Sequence, residues 1–212
     1  MSRVEIVEGA DAQAIAEWLD DRLSAANYHC EDQFALTIPG GSTPFPILEA
    51  LTRFDPGPPW SVMRIWPNDD RIVGEDHAAS NIGRIRSVLK YAGAEINALS
   101  QSAPPPAFAL TWLGMGADGH VASLFPNTDP QIDDPLPVRR LTPDPLPPEA
   151  PFDRITLTIP ALLDTERVVL TLGGSAKKRA VFEAALAGGN DLPVARLLRE
   201  AGRRGIPVTC FT

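Results

Sequence analysis

The sequence predicts an α/β fold with a mainly parallel sheet. Three apolar runs, residues 34–38, 108–113 and 167–172, each end in a turn that contains glycine, and strand-like and helix-like patterns alternate along the chain. This alternation is typical of a parallel sheet covered by helices, and right-handed crossovers bring such turns to one edge of the sheet. With 212 residues the chain can form a sizeable core, so we expect a single domain over 1–212.

The first elements follow from local patterns. Residues 3–7 favour a short strand, and residues 11–25 carry apolar side chains at helical spacing, with Asp11 placed to cap the start. Residues 34–38 favour the next strand. A helix is expected over 44–53, because proline suits its first position and Ser or Thr before it suits the cap.

The remaining elements continue the alternation. Residues 61–66 favour a strand, Ser80-Asn81 suits the start of a helix, and the apolar run 108–113 is expected to be a buried central strand. We expect the following elements after it: a strand at 153–160, a helical turn at 161–163, a strand at 167–172, a helix through Ala187, a helix at 194–201 and a strand at 206–211.

Composition excludes several kinds of partner. The net charge is −8 and the chain has no basic run, so it is a poor candidate for binding nucleic acid or an anionic membrane surface. No apolar run approaches the roughly 18 residues of a membrane helix. The N-terminus lacks the layout of a signal peptide, so we expect a cytoplasmic protein. Cys30 and Cys210 form no metal-binding or disulfide pattern and are expected to be free thiols.

Prolines concentrate in one segment. Nine of the 22 prolines lie between Pro126 and Pro151, where apolar residues are few, so we expect a long loop at about 126–151. Loops of this length are commonly functional flaps or poorly ordered. Because this loop begins soon after His120, a flap over a site is one interpretation.

An ionisable pair follows the predicted central strand. Gly114, Gly116 and Gly119 surround Asp118, and His120 comes next. Ligands of open α/β sheets bind just beyond the carboxyl ends of strands, and histidine is the side chain that most readily exchanges a proton near neutral pH. This pattern favours a site that contains Asp118 and His120, although an ordinary turn with a structural histidine would look the same.

Anion-binding features follow other strands. Gly40-Gly41-Ser42-Thr43 combines a flexible turn, hydroxyls and a helix N-terminus, which together suit phosphate, although an ordinary capped turn has the same features. Asp69-Asp70-Arg71 follows the third strand, and Lys177 lies in the first turn of a helix, where a cation opposes the helix dipole. If these side chains pointed into a site, Arg71 and Lys177 would bind an anion and Asp69 would bind its hydroxyls. The alternative is that all of them are ordinary charges on the solvated surface.

A dinucleotide site is disfavoured. Residues 114–119 fit the spacing G-x-G-x-x-G, but they lie in the middle of the chain and precede a proline-rich loop. The dinucleotide fingerprint belongs to the first strand–helix unit and has an acidic residue about 20 positions further on.

Five motifs occur in the order and spacing found in one family, so the chain resembles 6-phosphogluconolactonases over about residues 10–190. The motifs are Gly40-Gly41-Ser42-Thr43-Pro44; Asn68-Asp69-Asp70-Arg71 with Ser80-Asn81; residues 114–126; Arg154-Ile155-Thr156-Leu157; and Gly174-Ser175-Ala176-Lys177. The resemblance implies a Rossmann-like three-layer domain and hydrolysis of 6-phospho-D-glucono-1,5-lactone to 6-phosphogluconate in the pentose phosphate pathway. It also implies no metal and no organic cofactor.

The substrate that the resemblance implies suggests roles for the candidate residues, because it carries a phosphate dianion and an electrophilic lactone carbonyl. His120 is expected to be the general base, while Asp118 and Asp69 orient the imidazole or bind sugar hydroxyls. Backbone N–H groups of the 114–119 turn, including Gly116, would stabilise the oxyanion. The phosphate is expected to bind these residues: Gly40, Gly41, Ser42, Thr43, Arg71, Lys177 and, more weakly, Arg154. The expected partner is a small sugar phosphate, and the chain is expected to be a monomer or weak homo-oligomer.

Two alternatives remain at the level of sequence. The related glucosamine-6-phosphate deaminases carry a glutamate five residues after the histidine, where this chain has Phe125, and a tyrosine where it has Arg71. A non-catalytic sugar-phosphate binding protein would keep the cations without needing His120. The chain also departs from the lactonase pattern at Asp70, where Glu is usual, at Pro39, and in the tail from about Pro193.

Overall fold

A computed structural model describes residues 4–29, 33–148 and 150–212. Cys30, predicted to be a free thiol, lies outside the described residues, while Cys210 is free and buried.

The described residues form ten strands: β1 (Val4–Val7), β2 (Phe34–Ile38), β3 (Met63–Pro67), β4 (Asp69–Arg71), β5 (Glu95–Ile96), β6 (Leu110–Gly114), β7 (Val138–Leu141), β8 (Arg154–Leu157), β9 (Val168–Thr171) and β10 (Val208–Phe211).

Helices cover the strands on both sides. The described residues form six α-helices: α1 (Ala12–His29), α2 (Pro44–Leu51), α3 (Asn81–Val88), α4 (Ile159–Leu162), α5 (Ala176–Leu186) and α6 (Pro193–Arg204). Short 3-10 turns lie at 60–62 and 126–128. Among the described helices, none combines the length and the apolarity that a membrane crossing requires.

Seven strands form one parallel sheet in the order β1-β10-β9-β6-β2-β3-β5. Side chains alternate across it, so that Val169 faces one apolar cluster while its neighbours Val168 and Leu170 face the other. The first cluster includes residues of α1, α2 and α3, and the second includes residues of α4, α5 and α6. This arrangement confirms the predicted three-layer α/β fold with a mainly parallel sheet.

Four adjacent strands position the candidate site. Strands β9, β6, β2 and β3 are neighbours, with Leu36 of β2 aligned on Leu110 and Thr111 of β6 aligned on Val168. Because these strands run parallel, their carboxyl ends meet at one edge of the sheet. The glycine turns after β2, β6 and β9 therefore lie beside the chain that leaves β3.

A second, antiparallel sheet corrects two expectations. It has the order β4-β8-β7. Residues 69–71 were expected only as charged residues that follow the third strand, yet they form β4 and pair with β8. The predicted proline-rich loop 126–151 contains β7 as an edge strand, which is possible because no proline interrupts Val138–Leu141. The other described residues of that segment, which exclude residue 149, have no regular secondary structure beyond the 3-10 turn.

The predicted helix caps have mixed outcomes. The Asp11 carboxylate accepts a hydrogen bond from Ala14 N–H at 2.9 Å, and the Ser80 hydroxyl accepts one from Gly83 N–H at 3.1 Å, so both caps are confirmed. Thr43 precedes α2, but its backbone is already helical and its side chain makes no cap hydrogen bond. Its hydroxyl is therefore not used by the helix.

Candidate active site

A cavity of about 420 Å³ opens at the carboxyl ends of β2, β3, β6 and β9. It collects residues that are far apart in the sequence. Its lining includes most of the predicted site residues: Gly40, Gly41, Ser42, Thr43, Asp69, Arg71, Gly116, His120 and Arg154. Pro147 and Ala150 of the proline-rich segment also line it, so this segment borders the cavity.

The glycine turn after β2 forms one wall of the cavity. Gly41 has a φ of +88°, a conformation that favours glycine. A side chain at Gly40 would overlap the amide of Asn81, since its Cβ would lie 2.1 Å from Asn81 Oδ1. Thr43 packs against Gly173 of the turn after β9, where an added Cβ would lie 2.7 Å from its hydroxyl oxygen. The two turns therefore meet directly at the N-terminus of α2.

Asn81 connects the turn to β4. Its Oδ1 accepts a hydrogen bond from Arg71 Nη1 at 2.9 Å, and its Nδ2 donates to the carbonyl of Asp69 at 2.8 Å. Asp70 fixes Asn81 in turn, because its carboxylate accepts from the N–H groups of Asn81 and Ile82 at the start of α3. The second acidic residue of the motif thus serves as a helix cap rather than as a ligand group.

Two guanidinium groups face the cavity from paired positions. Arg71 of β4 and Arg154 of β8 are register partners in the antiparallel sheet. Arg154 is buried and donates to the carbonyls of Phe152 and Ala150 at 2.5 and 2.7 Å. Burial and the neighbouring Arg71 lower the pKa of Arg154. Within the described residues neither guanidinium forms an ion pair, so an anion in the cavity would neutralise this charge.

Lys178 supplies a further cation at the cavity wall. The sequence favoured Lys177, but Lys177 is exposed and is not among the lining residues, whereas the half-buried Lys178 is. The Ser175 hydroxyl caps α5 by accepting from Lys178 N–H at 3.4 Å. Successive helical residues point about 100° apart, so only one of two adjacent lysines faces the cavity.

Among the described residues, the buried carboxylate of Asp69 has one close hydrogen-bond partner. Ser123 Oγ donates to Asp69 Oδ2 at 2.5 Å, whereas the contact from Asn81 Nδ2 to Asp69 Oδ1 is long, at 3.4 Å. Burial raises the pKa of Asp69 above its ordinary value, against the opposing effects of the Ser123 hydrogen bond and of Arg71. Oδ1 therefore retains capacity to accept a hydrogen bond from a ligand.

His120 and Asp118 form a hydrogen-bonded pair. The distance from His120 Nδ1 to Asp118 Oδ1 is 2.6 Å, and this hydrogen bond lowers the pKa of Asp118 despite partial burial. An ionised Asp118 accepts from Nδ1–H, which leaves Nε2 free to accept a proton. The ring of Phe125 lies 4.8 Å from the imidazole, centroid to centroid. Asp118 does not line the cavity, and it influences the chemistry there by holding the His120 imidazole in place.

The glycine loop after β6 gives the imidazole its space. An added Cβ at Gly116 would lie 2.2 Å from two atoms of the His120 ring and 2.5 Å from Asp118 Oδ1. The N–H of Gly116 already donates to the His120 carbonyl, and that of Gly119 donates to Gly116. These two N–H groups are therefore occupied within the loop, so Gly116 does not serve as the expected oxyanion donor in this conformation.

Sequence reasoning assigned no individual site role to Asn81 and Ser123, two lining residues that hold other site groups in place. Asn81 was expected to begin a helix and was part of a family motif, and Ser123 was included only within the motif 114–126. Both act through hydrogen bonds to groups on other elements, and such pairings have no local sequence signal. The occurrence of Ser80-Asn81 together with Asn68-Asp69-Asp70-Arg71 in the family resemblance was the one available indication for Asn81.

The fold and the cavity together define a class of protein. A parallel sheet covered by helices, with a glycine turn, unpaired cations and a histidine–carboxylate pair at its strand ends, is the arrangement of α/β enzymes that bind a small anionic substrate. The comparisons with known proteins narrow this class. The chain belongs to the family described as glucosamine-6-phosphate isomerases/6-phosphogluconolactonase, whose model matches residues 8–98 and 90–205.

Individual relatives agree with this family. The chain is 32% identical to a 6-phosphogluconolactonase of Caulobacter vibrioides, over 84% of this chain and 82% of that protein. It is 34% identical to a 6-phosphogluconolactonase of Pseudomonas aeruginosa, over 89% of this chain and 87% of that protein. The crystal structure of a 6-phosphogluconolactonase from Shewanella baltica superposes with a TM-score of 0.81 at 26% identity, covering 100% of this chain and 97% of the other. The predicted family resemblance is confirmed.

Proposed function

We propose that this chain hydrolyses 6-phospho-D-glucono-1,5-lactone to 6-phosphogluconate, the reaction named by its relatives. The observation that carries the proposal is that one cavity is lined both by a set of cations and by His120, whose imidazole is hydrogen-bonded to Asp118. The cations suit a phosphate dianion, and the pair suits proton transfer to and from water. We further propose that the reaction takes place in the cytoplasm, as the sequence pattern predicted.

The phosphate would bind at the glycine turn. Arg71 and Lys178 contribute positive charge, and the Thr43 hydroxyl, which the helix does not use, contributes a donor. The N-terminus of α2 adds its partial positive charge. Arg154 contributes mainly long-range charge, because two of its N–H groups already bind backbone carbonyls.

The lactone would react beside His120. Nε2 accepts a proton as the water oxygen bonds to the lactone carbonyl carbon, giving a tetrahedral intermediate. When the intermediate collapses, the ring C–O bond breaks, and the leaving oxygen takes the proton back from Nε2. The products are a carboxylic acid, which ionises in water, and a free hydroxyl. Asp118 holds the imidazole in the required tautomer and stabilises the transient imidazolium.

The test is initial-rate hydrolysis of freshly prepared lactone, with the uncatalysed rate subtracted because the lactone also opens spontaneously. We expect a clear enzymatic rate. A rate equal to the background would overturn the proposal, and two further measurements would then separate the alternatives. Ammonia release from glucosamine 6-phosphate would indicate a deaminase, although Phe125 stands where the deaminases carry glutamate. Binding of sugar phosphate without turnover would indicate a binding protein.

Gly116→Ala is expected to reduce kcat by about 10²-fold, because the new methyl group must displace the His120–Asp118 pair and a shift of about 1 Å can cost that much. The comparison variant is Gly114→Ala, whose Cβ would lie 3.7 Å from Pro39, an ordinary contact. Its effect should be much smaller. Equal losses in the two variants would show that the loop tolerates no side chain at either position and that the imidazole is not specifically affected.

A further inference from the structure

Ser123 has no role in the reaction outlined above, yet it is the strongest hydrogen-bond partner of a buried carboxylate in the cavity. Its hydroxyl lies 2.5 Å from Asp69 Oδ2. Only 1% of the residue is exposed, so the hydroxyl is not displayed to solvent as a nucleophile would be. We propose that Ser123 is a positioning residue for Asp69, fixing its carboxylate so that Oδ1 can accept a hydrogen bond from a substrate hydroxyl. This inference rests on the proposed function.

The backbone around Ser123 is arranged for this contact. Ala122 has a φ of +51°, a left-handed conformation that is strained for a non-glycine residue. The turn is closed by Leu124 N–H, which donates to the Val121 carbonyl at 2.9 Å. A strained residue directly before Ser123 indicates that the surrounding structure fixes the direction of the Ser123 side chain.

The other side of the contact is fixed as well. Ser123 N–H donates to Thr156 Oγ1 at 3.2 Å, and the Thr156 hydroxyl donates to the Leu157 carbonyl. Thr156 is the register partner of Asp69 in the antiparallel pair β4–β8. Ser123 is thus attached to β8, the strand that pairs with β4, and its contact on β8 lies directly opposite Asp69. The hydroxyl and the carboxylate are therefore held in one geometry by the antiparallel pair.

The pKa of Asp69 depends on several nearby charged groups as well as on its hydrogen bond to Ser123. Arg71 and Asp70 act from β4, Arg154 acts from β8, and His120 acts from the loop after β6. The cations lower the pKa of Asp69 and Asp70 raises it, while burial raises it most. The Ser123 hydrogen bond also lowers it, since it favours the ionised form. Deleting the hydroxyl leaves all the other groups in place, so a change in titration reports on this one bond.

The experiment measures kcat/KM against pH for the wild type, Ser123→Ala, Asp69→Asn and the double variant. Loss of a hydrogen bond to a charged group predicts that Ser123→Ala lowers kcat/KM by about 10-fold or more. The acid limb of its profile should move to higher pH. In the Asp69→Asn background the same substitution should change kcat/KM less than about 2-fold, because its target is gone. Additive losses or an unmoved acid limb would overturn the inference.

A control variant and a second readout separate the possible failures. Thr158→Val deletes another buried hydroxyl, which donates to the Leu136 carbonyl outside the cavity, and should leave the pH profile unchanged. If the wild type shows no lactone hydrolysis, the proposed function fails. NMR titration of ¹³C-labelled aspartate carboxyls then still decides the inference. The Asp69 signal, assigned with Asp69→Asn, must titrate at higher pH in Ser123→Ala, and an identical midpoint would exclude the role of Ser123.

Discussion

His120→Ala is expected to lower kcat for lactone hydrolysis by about 10²- to 10⁴-fold, the usual contribution of a positioned general base. The physical reason is the 2.6 Å hydrogen bond between Nδ1 and Asp118. Because Nδ1 carries its proton in this bond, Nε2 is free to accept a proton from water. Removing the imidazole leaves water without an acceptor for its proton. Circular dichroism should show that the variant remains folded, since the side chain lies at a cavity wall.

A matched histidine tests whether this loss is specific. His77 is exposed, and its ring packs edge-on against Phe152 without lining the cavity. His77→Ala should therefore keep nearly the wild-type kcat. If His120→Ala retained more than about a tenth of the activity, the base would have to be another group, and the buried Asp69 would be the next candidate.

Arg71→Ala is expected to raise KM by about 10²-fold or more. Two charge-assisted hydrogen bonds to a phosphate contribute roughly 3 kcal/mol together, and this interaction is present in the ground state as well as in the transition state. The measurement is KM from initial rates, together with competitive inhibition by inorganic phosphate, which should weaken in parallel.

The control for charge is Arg86→Ala. Arg86 lies on α3, pairs with Glu75 at the surface and does not line the cavity, so its removal changes the net charge equally. Exposed pairs contribute little, and its KM should stay close to that of the wild type. A variant of Arg71 with unchanged KM and reduced kcat would contradict phosphate binding and would instead connect Arg71 with the reacting carbonyl.

Most of the large sheet could be predicted from the sequence because its strands are buried. Residues 34–38 were expected to be a strand and form β2 with the same bounds, and the apolar run at 167–172 contains β9. Parallel strands covered on both faces appear as continuous apolar runs, which is a strong local signal. The position of β10 between β1 and β9 could not be predicted, since strand order depends on crossovers rather than on composition.

The small antiparallel sheet was not predicted, because its strand β4 lacks the apolar pattern that identifies the strands of the large sheet. Its strand β4 consists of Asp69, Asp70 and Arg71, whose side chains form hydrogen bonds rather than packing in an apolar core. Asp69 accepts from the Ser123 hydroxyl, Asp70 accepts from backbone N–H at the start of α3, and Arg71 donates to a backbone carbonyl. Strand propensity reflects packing on a half-buried surface, and three charged residues carry no such signal. The strand exists because β8 and the N-terminus of α3 satisfy these groups.

The candidate site was predicted at the level of motifs but not of contacts. Glycine turns and the Asp118–His120 pair could be placed at strand ends by topology alone. Whether Lys177 or Lys178 faces the cavity depends on how α5 is rotated about its own axis relative to the sheet, and the sequence does not specify this rotation. The roles of Asn81 and Ser123 depend on hydrogen bonds to Asp69, which lies 12 and 54 positions away in the sequence. Neither residue type indicates a partner at such a distance.

The place of β10 in the sheet has a consequence for how the chain folds. In the described structure β1 pairs with β10, so Val4 meets Val208, and roughly two hundred residues must be synthesised between the two. During translation β1 has no neighbour, while β2, β3 and β6 can already pair with one another. Contacts of such long sequence separation form slowly. The emerging protein therefore exposes an unpaired strand until β10 has left the ribosome, and this interval is when nascent chains would be most prone to associate wrongly.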